Sequence, residues 1–137
     1  MRRIALISCA SMKRNVPVKA RDLYISPLFK LNLAYAESLK SDAIFILSAK
    51  YGLVPLDKIL APYNETLNTK KDSDIRIWAK EVLRQLSATA DLEQDEFTLL
   101  AGEHYRRHLA PSLMHVRIPL KGLGLGRQLQ FLKRALV

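Results

Sequence analysis

Ile4-Ala5-Leu6-Ile7, closed by Ser8-Cys9, is the stretch on which the fold turns. Four consecutive apolar side chains cannot alternate between core and solvent, so the strand they form is buried on both faces, as in the interior of a parallel sheet. Working outward, Leu28, Leu31, Leu33, Ala34, Ala36 and Leu39 recur at helical spacing, with Ser26 in the N-cap position and Pro27 at the first helical one. Ala43 to Leu47 repeats the buried run and ends at Ser48-Ala49-Lys50-Tyr51-Gly52. A second helix opens at Asp72 or Ser73 and carries Ile75, Trp78, Ala79, Val82, Leu83 and Leu86 on one face. Phe97 to Ala101 reads as a third strand stopped by Gly102, Tyr105 to Leu109 as a short helix, His115 to Ile118 as a fourth strand and Gly126 to Leu136 as a terminal helix.

Strands alternating with helices predict one three-layer α/β domain over residues 1–137, with about four mostly parallel strands and helices on both faces. No internal repeat or linker divides the chain. The segment from Tyr51 to Lys71 has little periodicity, and its length marks it as a lid or binding loop.

With 137 residues, 49% hydrophobic and 26% charged, the composition is that of a globular domain and excludes collagen-like, coiled-coil and broadly disordered classes. A lone cysteine, Cys9, excludes an internal disulfide and points to a reducing compartment. The N-terminal apolar run is too short for a signal-peptide core, so a cytoplasmic location without membrane attachment is expected. The net charge of +9 is unevenly placed. Residues 1–21 (Arg2, Arg3, Lys13, Arg14, Lys19, Arg21) and 104–137 (Arg106, Arg107, Arg117, Lys121, Arg127, Lys133, Arg134) are basic, while all 13 acids fall between them. If the fold joins the two ends, their fields add into a surface suited to a phosphate-bearing partner; scattered solubilising lysines are the plainer reading.

Ligands of an open α/β sheet sit beyond the carboxyl ends of the strands. Four stretches are placed there: Ser8 to Lys13, Ser48 to Gly52, Ala101 to Tyr105 and Pro119 to Gln128. Gly122, Gly124 and Gly126 precede a helix and offer backbone N–H groups to an anion, with Arg127 beside them; otherwise they form a tightly turning loop. Cys9 is either a nucleophile activated by Lys13 or Lys50 or a small packing residue. Lys13 and Lys50 either hold an anion or act as amines. Tyr24, Ser26, Tyr51, Tyr63, Asn64 and Thr66 combine rings with amide and hydroxyl groups, as a site that stacks on a base and reads its edge requires, although tyrosines also cover apolar surface. Glu103 or Asp22 is the candidate general base, unless Arg21 and Asp22 simply pair. His104 and His108 lack a third ligand at metal spacing and read as solvated or capping groups; no metal and no cofactor is expected.

Taken together, Ile7-Ser8-Cys9 with Lys13, Ala20 to Phe29, Leu47 to Leu53, Pro62-Tyr63-Asn64-Glu65-Thr66-Leu67, Ala101-Gly102 with Tyr105, and Pro119 to Gly124 resemble the DUF6884-type family over nearly the whole chain. The resemblance implies a compact α/β domain whose shared polar residues gather at one strand end, where Ser8, Arg21, Ser48, Gly52, Gly102 and Tyr105 are further substrate-binding candidates. It supplies no reaction. The spacing from Cys9 to Lys13 is also similar to the Cys-Ser-x-x-Lys stretch in the lysine-transferring part of archaeosine synthase, with Ala10 where that motif has serine. The order of elements resembles uracil-DNA glycosylases, but their water-activating motif is missing and that activity is not carried over. The function expected is an enzyme, of transferase or hydrolase class, or a binding domain, acting on an anionic small molecule such as a nucleotide, or on a nucleoside or nucleobase, in the setting of nucleic-acid base modification. The alternatives are a non-catalytic nucleic-acid-binding module and a domain that meets an acidic protein partner. The sequence leaves the oligomeric state open.

Overall fold

Ile4, Ala5, Leu6 and Ile7 are at most 1% exposed in the computed structural model, which describes residues 1–137. They lie in β1 (Arg3–Ser8), and their burial on both faces follows from the unbroken apolar run. β1 runs parallel to β3 (Ala43–Ser48) on one side and to β6 (Glu96–Leu100) on the other, with Leu6 opposite Phe45 and Leu99. β7 (His115–Arg117) continues the parallel sheet beyond β6, and β4 (Gly52–Pro55) closes the other edge antiparallel to β3. The sheet order is β4-β3-β1-β6-β7.

Alternate side chains of the central strands feed two cores. Ile4 and Leu6 join Leu47, Phe97 and Leu99 beneath α3 (Asp72–Ser87), which contributes Ile75, Ala79, Val82 and Leu86. Ala5, Ile7, Ile46 and Leu100 face the other way, toward Phe29 and Ala36 of α2 (Pro27–Ser38) and Leu132 of α5 (Leu125–Ala135). Ser26 starts α2 as expected, its Oγ accepting the Phe29 N–H at 3.2 Å. Because α2 joins β1 to β3 while α3 lies on the opposite face on the way to β6, the chain changes direction between β1 and β6. That gap is the topological switch point.

The segment from Tyr51 to Lys71 is not one loop. β4 takes its first part, and β5 (Ile59–Leu60) pairs antiparallel with β2 (Val18–Lys19), a short strand that leads into α1 (Ala20–Leu23). Leu67–Thr69 forms a single 3₁₀ turn. Strands of two to four residues are too short to print a periodicity, which is why the sequence reads as loop here. Gly52 ends the tight turn from β3 to β4 at φ +75. A Cβ at this position would press into Gln85 Oε1, the acceptor of the Leu53 N–H at 2.8 Å. The glycine is therefore required by backbone conformation and close approach.

At the amino ends of the strands, buried Asp95 accepts the Arg2 N–H at 2.9 Å and the Asp91 N–H at 2.8 Å. These two backbone bonds hold its carboxyl below the usual carboxylate range. No helix is long and apolar enough to cross a membrane.

Gly52→Ala should lower stability by about 2 kcal/mol, seen as a Tm several degrees down; an unchanged Tm would contradict the steric account. The depressed Asp95 carboxyl contributes stability above its unfolded value of about pH 4, and the contribution disappears as pH falls through the folded value. Asp95→Asn should accordingly flatten the acid limb of a Tm-against-pH curve.

Candidate functional site

Because the chain leaves β1 toward the α2 face and β6 toward the α3 face, the loops at the switch point part and leave a hollow at the carboxyl ends of the two strands. A cavity of about 590 Å³ lies there, lined by Ser8 to Lys13 after β1, Ser26 and Leu28 at the start of α2, Asn64, Glu65, Thr66 and Asn68, Gly102 and Tyr105, and Leu125 and Gln128 of α5. Of the residues singled out by sequence, it gathers Ser8, Cys9, Lys13, Ser26, Asn64, Thr66, Gly102 and Tyr105.

Cys9 is half-buried, its backbone N–H bonded to Leu47 O at 3.0 Å, so the last parallel ladder fixes where the thiol emerges. Its Sγ donates to the Tyr105 hydroxyl at 3.4 Å. That oxygen also accepts the Leu67 N–H at 3.3 Å, and Thr66 Oγ1 lies 3.4 Å away, so the phenol joins three segments of the wall. Burial, with the Cys9 charge second, pushes the Tyr105 phenol up to about 12, and it stays protonated at neutral pH.

Lys13 is pinned by its backbone: it forms an isolated antiparallel bridge with Tyr24, and the flanking Met12 O and Arg14 N–H bond to Ile25 N–H at 2.9 Å and Leu23 O at 2.9 Å. Its Nζ has no carboxylate partner and lies 4.5 Å from the ring centroid of Tyr63 and 5.7 Å from that of Tyr24. Burial lowers the amine's pKa, with Cys9 opposing the shift, so the neutral amine is more accessible than in a free lysine.

Beneath Lys13 runs a buried hydroxyl chain. Ser48 Oγ donates to the Tyr63 hydroxyl at 2.8 Å and accepts the Tyr51 N–H at 3.0 Å and the Lys50 N–H at 3.2 Å, while the Tyr63 and Tyr24 hydroxyls bond to each other. Burial raises both phenols well above the ordinary range. Tyr24, Tyr63 and Ser48 therefore support the floor, and their packed rings do not offer the stacking platform that the sequence had suggested.

Other expected residues lie elsewhere. Lys50 and Tyr51 sit on the β3–β4 turn, the Lys50 Nζ 5.3 Å from the Tyr51 ring, outside the cavity lining. Glu103 is bound by Arg107 at 2.8 Å, which holds its carboxyl low; the carboxylate lining the cavity is Glu65. Arg21 pairs with Glu37 at 3.2 Å rather than with Asp22, and lines a separate depression of about 350 Å³ with Asp22. His104 and His108 bond to Asn68 Oδ1 at 2.9 Å and to Asp72 Oδ1 at 2.7 Å. Gly122 turns the chain at φ +80, and Gly124 caps α5, but Gly122, Gly124, Gly126 and Arg127 do not line the cavity; the first turn of α5 reaches it through Leu125 and Gln128. The lining thus holds one cation, Lys13, and one carboxylate, Glu65, and is less electropositive than the basic termini imply.

Asn68, Gln128 and Glu65 carry the groups that sequence reasoning did not assign. Gln128 and Glu65 stand inside stretches already placed near the site, and Asn68 inside the segment from Tyr51 to Lys71 marked as a binding loop, though nothing singled it out there. A wider, shallower depression of about 850 Å³ at the opposite end of the sheet, lined by Met1, Arg2 and residues 87–95, has Asp95 as a carboxylate already taken by backbone N–H groups.

Residues 4–134 match a family described as a family of unknown function, DUF6884, and the chain belongs to it. It is 31% identical over 146 aligned residues to the uncharacterised protein YfjM of Bacillus subtilis strain 168, an alignment covering 98% of this chain and 95% of that protein. No solved structure matches significantly. These matches do not carry the short likeness to archaeosine synthase.

Tyr105→Phe should cost about 1–2 kcal/mol, because the buried Leu67 N–H loses its acceptor, and a denaturation midpoint equal to wild type would refute the wall-joining role. An amine-reactive reagent applied at mildly alkaline pH should label Lys13 ahead of the exposed lysines in a peptide map.

Proposed function

We propose that this DUF6884 chain binds a nucleotide, nucleoside or nucleobase in the cavity at the switch point and acts on it as a transferase or hydrolase in nucleic-acid base modification. The observation that supports this most directly is the convergence of a thiol, an amine and three amide side chains on one hollow of about 590 Å³, a size suited to a small ligand. Asn64, whose amide has no partner within the protein, presents donor and acceptor together, the pattern needed to read the edge of a base, while Asn68 and Gln128, bonded to His104 and to Leu123 O, keep only the rest of their amide groups for a ligand. Met12, Leu28 and Leu125 supply apolar surface for its faces. Lys13, unpaired, holds a phosphate or serves as an amine, and the free N–H groups at the start of α5 add to anion binding. Cys9 is the candidate nucleophile and Glu65 takes the place of Glu103 as candidate base. A reducing, cytoplasmic setting fits the free thiol.

Calorimetric titration with a panel of bases, nucleosides and monophosphates tests the reading. At least one should bind, with Lys13→Ala and Asn64→Ala each weakening it tenfold or more, while Cys9→Ser retains binding and loses any turnover. Absence of binding across the panel would overturn the proposal.

A further inference from the structure

We infer that the base reaches the cavity as part of a single-stranded polynucleotide whose backbone lies along α5, an inference that rests on reading the cavity as a base site. α5 begins at the cavity mouth, where Leu125 and Gln128 form part of the lining, and runs away from it. Its inner face is held by Leu132, which is fully buried in the core shared with α2, and Phe131 meets the Tyr35 ring edge-on at 5.8 Å. Arg127, Lys133 and Arg134 are exposed on the outer side. None of the three makes an ion pair, whereas both arginines of the acid-rich middle of the chain do: Arg76 with Asp72 and Arg84 with Glu81. Arg107 and Arg117 of the same acid-free stretch are paired by Asp72, Glu103 and Glu96 from elsewhere in the chain, whereas no carboxylate side chain reaches these three.

Unpaired cations on one helix repel each other and are relieved by an extended anion. At 1.5 Å of rise per residue, Arg134 stands roughly 10 Å beyond Arg127 along the axis. A mononucleotide phosphate held by Lys13 inside the cavity does not extend along that line; successive phosphates of a strand do. Phe131, 36% exposed beside Arg127 and Arg134, presents a ring on which a neighbouring base can stack. A single strand is favoured over a duplex because a duplex base would first have to be unpaired and flipped out of its stack.

The test is fluorescence anisotropy with labelled DNA and RNA single strands of roughly 12 nucleotides at about 50 and about 200 mM salt, with poly-glutamate as competitor and free nucleosides titrated in parallel. Arg127→Gln/Arg134→Gln should weaken strand binding about tenfold and reduce the log–log salt slope by about 1.4, two phosphate contacts on a single strand, while nucleoside affinity stays at the wild-type value. Lys58→Gln/Lys80→Gln, which removes the same charge from exposed positions off α5, should leave strand binding unchanged. The preferred sugar, ribose or deoxyribose, distinguishes RNA from DNA. Nucleoside binding accompanied by strand binding that is no tighter, is indifferent to the α5 variant, or is displaced equally well by poly-glutamate overturns this inference and leaves the cavity reading standing. Failure of both nucleosides and strands overturns the two together.

Discussion

The double burial of β1 constrains everything else. A strand that is apolar on both faces and hydrogen-bonded on both sides needs two neighbours and two covering layers, and α2, α3 and α5 are arranged to supply the layers. Between Arg3 and Ser8 polar side chains are excluded from it, so Ser8 and Cys9 are the first polar groups after the hydrophobic requirement ends. Because α2 and α3 leave to opposite faces, the end of β1 opens onto a gap instead of a covering helix. The site is thus a by-product of the solution that buries Ile4 to Ile7.

Around that gap the molecule uses hydroxyl groups more than charge. The Tyr24, Tyr63 and Ser48 chain and the Tyr105 junction satisfy buried backbone and side-chain polar atoms while fixing the positions of Lys13 and Cys9. Buried neutral phenols can be packed like any aromatic residue, at a far lower desolvation cost than a buried ion pair. Lys13 is left without a salt-bridge partner, its amine set over the Tyr63 ring instead.

Much of this was legible from residue order. The four parallel strands, the Ser26 cap, the helices after Pro27 and Asp72, and the meeting of Cys9, Lys13, Gly102 and the start of α5 follow from periodicity and from the rule for open sheets. β2, β4, β5 and α1 were not, since two to four residues span at most one or two periods of the pattern that would reveal them. Tyr24, Ser48 and Tyr63 were expected to contact a ligand, whereas they lie buried beside the cavity; composition does not say whether a tyrosine lines a hollow or packs beneath it. Gly52 and Glu103 illustrate the same limit: a turn glycine near Gln85 and a carboxylate one helical turn from Arg107 serve the backbone and the surface, and only the three-dimensional neighbours reveal it.

The two borders of the sheet carry a consequence for how copies of the chain can meet. β4 is four residues long and ends in Pro55, which lacks an N–H, and β7 is three residues long and ends in Arg117. Neither offers a long unpaired edge on which a further strand could register, so growth by strand addition, the route to fibrils and swapped sheets, is blocked at both margins.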